Sequence, residues 1–145
     1  MRKYFLALVL FTITIGTASA EFDRHITLEK LPLAARKFIN THFPEASITF
    51  AKSDNGVWNP EYEVRLNDGT KIEFDKKGNW KDIECKHASI PTALIPTAIA
   101  EYVKKHHQQS KIIKIERNRH GYEISLSNEL EITFDKKFNI IDIDD

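Results

Sequence analysis

Two hydrophobic spacings alternate along the chain. Leu31, Ala34, Ala35, Phe38, Ile39 and His42 recur at three- and four-residue steps, as do Ile99, Tyr102, Val103 and His106. That spacing gathers side chains on one face of a helix. Pro32 and Pro96 stand at the starts of these runs and are expected in the first helical turn, where a missing N–H costs nothing. Pro44 ends the first helix, because its ring blocks continuation. Elsewhere the period is two. Ile48 and Phe50, Tyr62-Val64-Leu66, Ile72 and Phe74, Tyr122-Ile124-Leu126, and Ile132 and Phe134 alternate with polar residues. These predict half-buried strands, and residues 80–84 and 140–144 complete the set.

Turn residues divide the strands. Asn67-Asp68-Gly69 is a tight hairpin signal, since these residues tolerate positive φ. Asp75-Lys76-Lys77-Gly78-Asn79 reads as a second hairpin loop with Gly78 left-handed. Asp75 and its counterpart Asp135 are expected to bind nearby backbone donors. Phe138 stands where the second loop would carry Gly, so either Asn139 takes the left-handed position or the loop follows another course.

The chain repeats itself. Residues 62–85 laid over 122–145 give eleven identities in 24 pairs, among them Tyr62/Tyr122, Phe74/Phe134, Asp75/Asp135, Asp82/Asp142 and Ile83/Ile143. An offset of 64 extends the match upstream through Pro32/Pro96, His42/His106 and Ile48/Ile112. The fold class is therefore α+β: a tandem duplication of one helix plus a four-stranded antiparallel sheet, with the helices packed on one sheet face. The first unit spans residues 21–85, a connector 86–94 and the second unit 95–145.

Residues 1–20 have the anatomy of a secretory signal peptide. Arg2 and Lys3 are followed by a short apolar run and an Ala18-Ser19-Ala20 cleavage site. The run is shorter than the roughly 20 residues of a spanning helix, so no membrane span is expected after cleavage. Arg2 and Lys3 leave with the leader, and 19 of the 21 basic residues remain against 21 acidic ones. A near-balanced charge excludes a general nucleic-acid binder, which needs a basic excess. One Cys excludes an intramolecular disulfide.

The signal sequence, the Leu-Pro and Ile-Pro helix openings, the mid-helix aromatic, and the Tyr-Glu-Val/Ile-x-Leu and Ile-x-Phe-Asp-Lys-Lys-x-Asn runs belong together. The chain in this respect resembles the PepSY-like, beta-lactamase-inhibitor-protein-like family of exported bacterial proteins, over about residues 28–145. The resemblance implies a periplasmic location and a largely unassigned function. The namesake inhibitors bind an enzyme across a sheet face, and no inhibitory motif carries over to this chain. His107-Gln108-Gln109 departs from the Phe43-Pro44 helix ending, which leaves the end of the second helix open.

The chemistry is sparse. His106 and His107 are adjacent, so they diverge by about 100° on a helix and do not chelate as an i, i+4 pair. His42 and His106 read as packed helix-end residues. Cys85, two residues from His87, reads as a buried or half-buried free thiol. The acidic end at Asp142, Asp144 and Asp145 lacks the glycine and distal glutamate of a calcium loop and reads as a solvated tail. No catalytic residue, metal site or cofactor is expected, and the protein is read as a non-enzyme.

Two contact surfaces remain. One is the polar sheet face bearing Glu61, Glu63, Arg65, Lys71, Glu73 and Lys81, with Glu123, Ser125, Glu131 and Thr133 in the second unit. The other is the loop around Trp58, which is either a binding anchor or a lid over its own core. The expected binding set is Trp58, Glu63, Arg65, Lys71 and Glu73. The expected function is a periplasmic binding module, inhibitor-like in one version, for a protein or a small ligand. The alternatives are a small-molecule or metal carrier built on a cluster of His42, His106 or Cys85, and a self-associating envelope protein.

Overall fold

The computed structural model describes residues 24–54 and 60–145. The leader expected over residues 1–20 and the loop around Trp58 lie outside the described residues. One antiparallel sheet runs through the whole fold, with nine strands in the order of the sequence. The strands are β1 (Arg24–His25), β2 (Ile48–Ser53), β3 (Tyr62–Leu66), β4 (Lys71–Phe74), β5 (Trp80–Glu84), β6 (Ile112–Asn118), β7 (Gly121–Leu126), β8 (Glu131–Asp135) and β9 (Ile140–Asp144). Helix α1 (Leu33–His42) lies between β1 and β2, and α2 (Thr97–His106) between β5 and β6.

The helices follow from their sequences with one adjustment. Pro32 and Pro96 stand just before the first turn, with extended ψ of 140° and 136°. The Pro32 carbonyl accepts the N–H of Arg36 and so still opens the ladder. The end of α2 matches that of α1 without a proline. His107 takes φ −137° and ψ 52°, Phe43 takes −132° and 54°, and each N–H donates to the carbonyl four residues back at 2.8 Å.

Most period-two residues point inward as expected, but a bulge between Ile48 and Phe50 turns Phe50 to the other face, opposite Arg65 and edge-on to His25. Val64, Ile72, Phe74, Ile83, Ile115, Ile124, Leu126, Ile132 and Phe134 are essentially inaccessible, and Ala35, Ile39, Ile99 and Val103 meet them from the helices. Phe38 of α1 stands edge-on to Phe74 at 5.6 Å, and Tyr102 of α2 does the same to Phe134 at 5.9 Å. Both helices therefore cover the same face of the sheet, and the opposite face is left to polar residues and Phe50.

Four features add to the sequence reading or depart from it. The two four-stranded runs, whose continuity the sequence left open, are joined, because Asp82, Ile83 and Glu84 of β5 pair with Glu116, Ile115 and Lys114 of β6. Strand β1 has no hydrophobic period and was not foreseen. The acidic end forms the strand expected over 140–144 and is solvent-exposed, but it is not a loose tail, since Ile140, Asp142, Ile143 and Asp144 are in register with β8. Finally, Phe138 itself takes the left-handed position at φ 64°, where Gly78 has 84°. The phenyl ring stacks on Tyr122 at 5.7 Å, a contact that offsets the cost of positive φ for a bulky residue. The two loops are otherwise alike. Asp75 Oδ1 accepts the N–H groups of Lys77 and Asn79 at 2.8 and 2.9 Å, and Asp135 Oδ1 accepts those of Lys137 and Asn139 at the same distances.

Candidate functional site

Strand register turns the scattered polar positions into rows. His25, Lys52, Glu63, Glu73, Asp82, Glu116, Glu123, Thr133 and Asp142 are successive cross-strand partners across all nine strands. Arg65, Lys71, Glu84, Lys114, Ser125, Glu131 and Asp144 form the next row. Both rows occupy the face opposite the helices, since their residues alternate with the buried ones.

Four of the five residues expected to bind are brought together here, and their charges are largely met. Glu63 is held by Arg65 at 2.8 Å and by Lys52 at 3.3 Å. Partial burial works against its carboxylate, but these hydrogen bonds and charges outweigh it and lower its pKa. Lys71 lies 3.3 Å from Glu73 and 3.8 Å from Glu84. Glu61 pairs with Lys81. Trp58, the fifth, lies outside the described residues.

The middle of the face is different. Asp82 is only 6% exposed, and its Oδ1 has no hydrogen-bond partner in the structure. Its Oδ2 has one cation, Lys114, at 3.4 Å. Burial pushes the Asp82 carboxyl above its ordinary pKa, and Glu73 adds to the push against the pull of Lys114. Glu123 is raised too, by burial and then by Glu116 and Glu131. Burial alone would lower Lys114, yet its pKa is raised by Asp82, Glu116 and Glu123 around it. Burial is the first cause at Asp82 and Glu123, while the upward shift of Lys114 against its own burial reflects the acids around it. Lys114 is shared among more carboxylates than it neutralises, and it also lies 3.9 Å from Glu116.

The sign of this effect on stability is fixed. A carboxyl whose pKa is raised by folding binds its proton more tightly in the native state, so stability falls as pH rises past the unfolded value of about 4. Asp82→Asn keeps the shape and removes the charge. The variant's melting temperature is expected to exceed that of the wild type by a margin that widens from pH 4 to pH 7. A margin that stays flat, or a wild type more stable at pH 7, would contradict the assignment.

The other candidate groups stay apart. His42 lies tilted against Phe38 with ring centroids 4.7 Å apart, and His106 against Tyr102 at 4.6 Å. Cys85 is buried with its Sγ 3.7 Å from Thr70 Oγ1, and burial pushes the thiol pKa up. Among the described residues no group of three or more His, Cys, Asp or Glu is placed to hold a metal ion. No helix among them is long and apolar enough to cross a membrane. A groove of about 860 Å³ lies beside α2, with Ile90, Ile95, Val103 and Ile112 on its walls and Lys104, Lys105 and Lys111 around them.

The residues missed in the sequence are Asp82, Lys114 and Glu116. The recurrence of Asp82 as Asp142 was visible, but only the β5–β6 register brings Lys114 and Glu116 beside it.

The architecture is that of an α+β protein with one helix-covered sheet face and one open charged face. Residues 60–142 match the beta-lactamase-inhibitor-like, PepSY-like family, and the chain belongs to it. Three crystal structures are similar throughout. A periplasmic protein of Bacteroides thetaiotaomicron, described with a proposed calcium regulation, is 45% identical at a TM-score of 0.81, covering 85% of this chain and 97% of its own. A Bacteroides vulgatus periplasmic protein of the DUF2874 family is 44% identical at 0.82, covering 87% and 99%. Another from B. vulgatus, described as of unknown function, is 39% identical at 0.80, covering 85% and 99%. No match is found among curated proteins. The protein is periplasmic, in a family whose descriptions name no catalytic activity.

Proposed function

We propose that the protein is a non-enzymatic periplasmic binding module that receives a cationic side chain of a protein partner on its open sheet face. One observation carries this reading: the buried Asp82 carboxylate, with an unpartnered oxygen, in a row of acids that Lys114 does not balance. A buried, half-paired charge costs stability. A lysine or arginine from a partner would meet the half-buried Glu116 and Glu123 beside Asp82 and offset the negative charge around that buried carboxylate. Glu63, Arg65, Lys71 and Glu73 then form a mixed-charge border that orients the encounter, and Trp58 is the apolar anchor of the binding set. Inhibition of an exported enzyme is one version of this activity. The fold is read as a tandem duplication, with units at 21–85 and 95–145 and the connector at 86–94. The recurrence of both helix openings and both Asp-Lys-Lys-x-Asn turns supports that division.

The test is cross-linking capture in the periplasm, comparing the wild type with an Asp82→Asn/Glu116→Gln/Glu123→Gln variant. One stoichiometric protein partner is expected, lost in the variant and retained by a protein altered only at Asp142 and Asp144. No partner, or a partner the triple variant keeps, would sink the reading. The groove beside α2 favours the carrier alternative, because its apolar walls and three lysines suit an amphiphilic anion. Fatty-acid binding by the same purified protein would identify that activity.

A further inference from the structure

Strands β5 and β9 stand 60 residues apart in sequence and share Asp82/Asp142 and Ile83/Ile143. Their outer edges have opposite fates. The edge of β5 is filled by β6, which sets Ile115 opposite Ile83 and Lys114 opposite Glu84. Lys114 also reaches diagonally to Asp82 at 3.4 Å. The edge of β9 has no neighbouring strand among the described residues. Ile83 is fully buried, whereas Ile143 is 49% exposed and Ile141 is 63% exposed. Asp142 and Asp144 carry no ion pair among the described residues.

We infer that the β9 edge is a second binding site, which takes an extended segment of a partner protein as a tenth, antiparallel strand. The chemistry of that segment is written in β6. A β-branched residue would lie opposite Ile143 and cover it, and a lysine or arginine next to it in sequence would lie opposite Asp144 and reach Asp142. Backbone hydrogen bonds supply affinity in strand addition, and alternate side chains supply selection. The alternation of Ile and Asp also argues against a second copy of this chain as the occupant. A two-fold pairing centred on Ile143 would set Asp142 of one copy against Asp144 of the other on both sides, and directly opposed like charges destabilise a strand pair. The aspartates thus keep the edge from its own kind while leaving it open to a basic strand.

The probe is a labelled peptide with the sequence of residues 111–118, Lys-Ile-Ile-Lys-Ile-Glu-Arg-Asn, added to the protein purified from the periplasm. Saturable binding is expected by fluorescence anisotropy, together with slower amide exchange in residues 140–144. The same peptide with both lysines changed to glutamate is expected to bind at least ten-fold more weakly. An Asp142→Lys/Asp144→Lys protein is expected to reverse the preference. The peptide pair tests the unaltered protein, so the inference does not depend on the variant folding. Absence of saturable binding, or equal binding of both peptides, would overturn it. So would a concentration-dependent dimer abolished by Ile143→Asp, which would assign the edge to a second copy. None of these outcomes bears on Asp82, Glu116 and Glu123, which lie on strands the peptide does not pair with.

Discussion

Phe74→Ala is expected to destabilise the protein by about 3–5 kcal/mol, the range for a large aromatic removed from a closed core. Phe74 has no exposed surface. It lies between Tyr62 of β3 and Trp80 of β5 in the strand register, and Phe38 of α1 meets it edge-on. Strands on both sides and a helix above leave the surroundings little freedom to collapse into the space. Phe134 is the corresponding residue under α2, but its outer neighbour is the edge strand β9. There the sheet has room to relax, so Phe134→Ala is expected near the lower end of the same range. Denaturant melts of both variants, analysed with a shared slope, measure the difference. A loss below about 1.5 kcal/mol at Phe74 would mean that the core is not closed around it.

Gly121→Ala is expected to be nearly as damaging, for a different reason. Gly121 opens β7 with φ at 150°, and a Cβ there would stand 2.0 Å from the carbonyl oxygen of Phe134 and 2.7 Å from the carbonyl carbon of Asp135. Both are backbone atoms of the paired strand β8, so no side-chain rotation can relieve the clash. The strand pair must separate or the turn must rebuild, at a cost of about 3 kcal/mol or more, beyond the usual penalty of overpacking. The hydrogen bonds lost would be those that start the β7–β8 ladder. Amide exchange is therefore expected to quicken first at residues 121–124 and 132–135. An alanine variant with unchanged melting temperature and exchange would refute the close approach.

Much of this was legible in the sequence because it is local. The two periods placed the helices and most strands, and residues 80–84 and 140–144 are the strands foreseen. The Asp75 and Asp135 turns were readable because their chemistry lies within five residues. What the sequence withheld depends on distant neighbours. Ile83 and Ile143 are the same residue in the same context, and one is buried only because β6 lies beside it. The acidic row is hidden for the same reason, since nothing in the 27 residues separating β5 from β6 specifies their register. Phe138 in a left-handed turn contradicts residue preference, and the Tyr122 ring that makes it tolerable is sixteen residues away. Glu63, Arg65, Lys71 and Glu73 were found as a face, but the ion pairs that Glu63 makes with Lys52 and Arg65, and Lys71 with Glu73 and Glu84, required distances.

The order of the strands has a kinetic consequence. Each strand pairs with the next in the sequence, so most of the ladder forms over short loops whose closure is fast. The β5–β6 joint is the longest closure in the sheet, joining Ile83 to Ile115 across the whole of α2. A chain emerging N-terminus first could complete β2 to β5 beneath α1 before β6 appears. The second half would then assemble on an edge already in place, and joining the halves would set the folding rate.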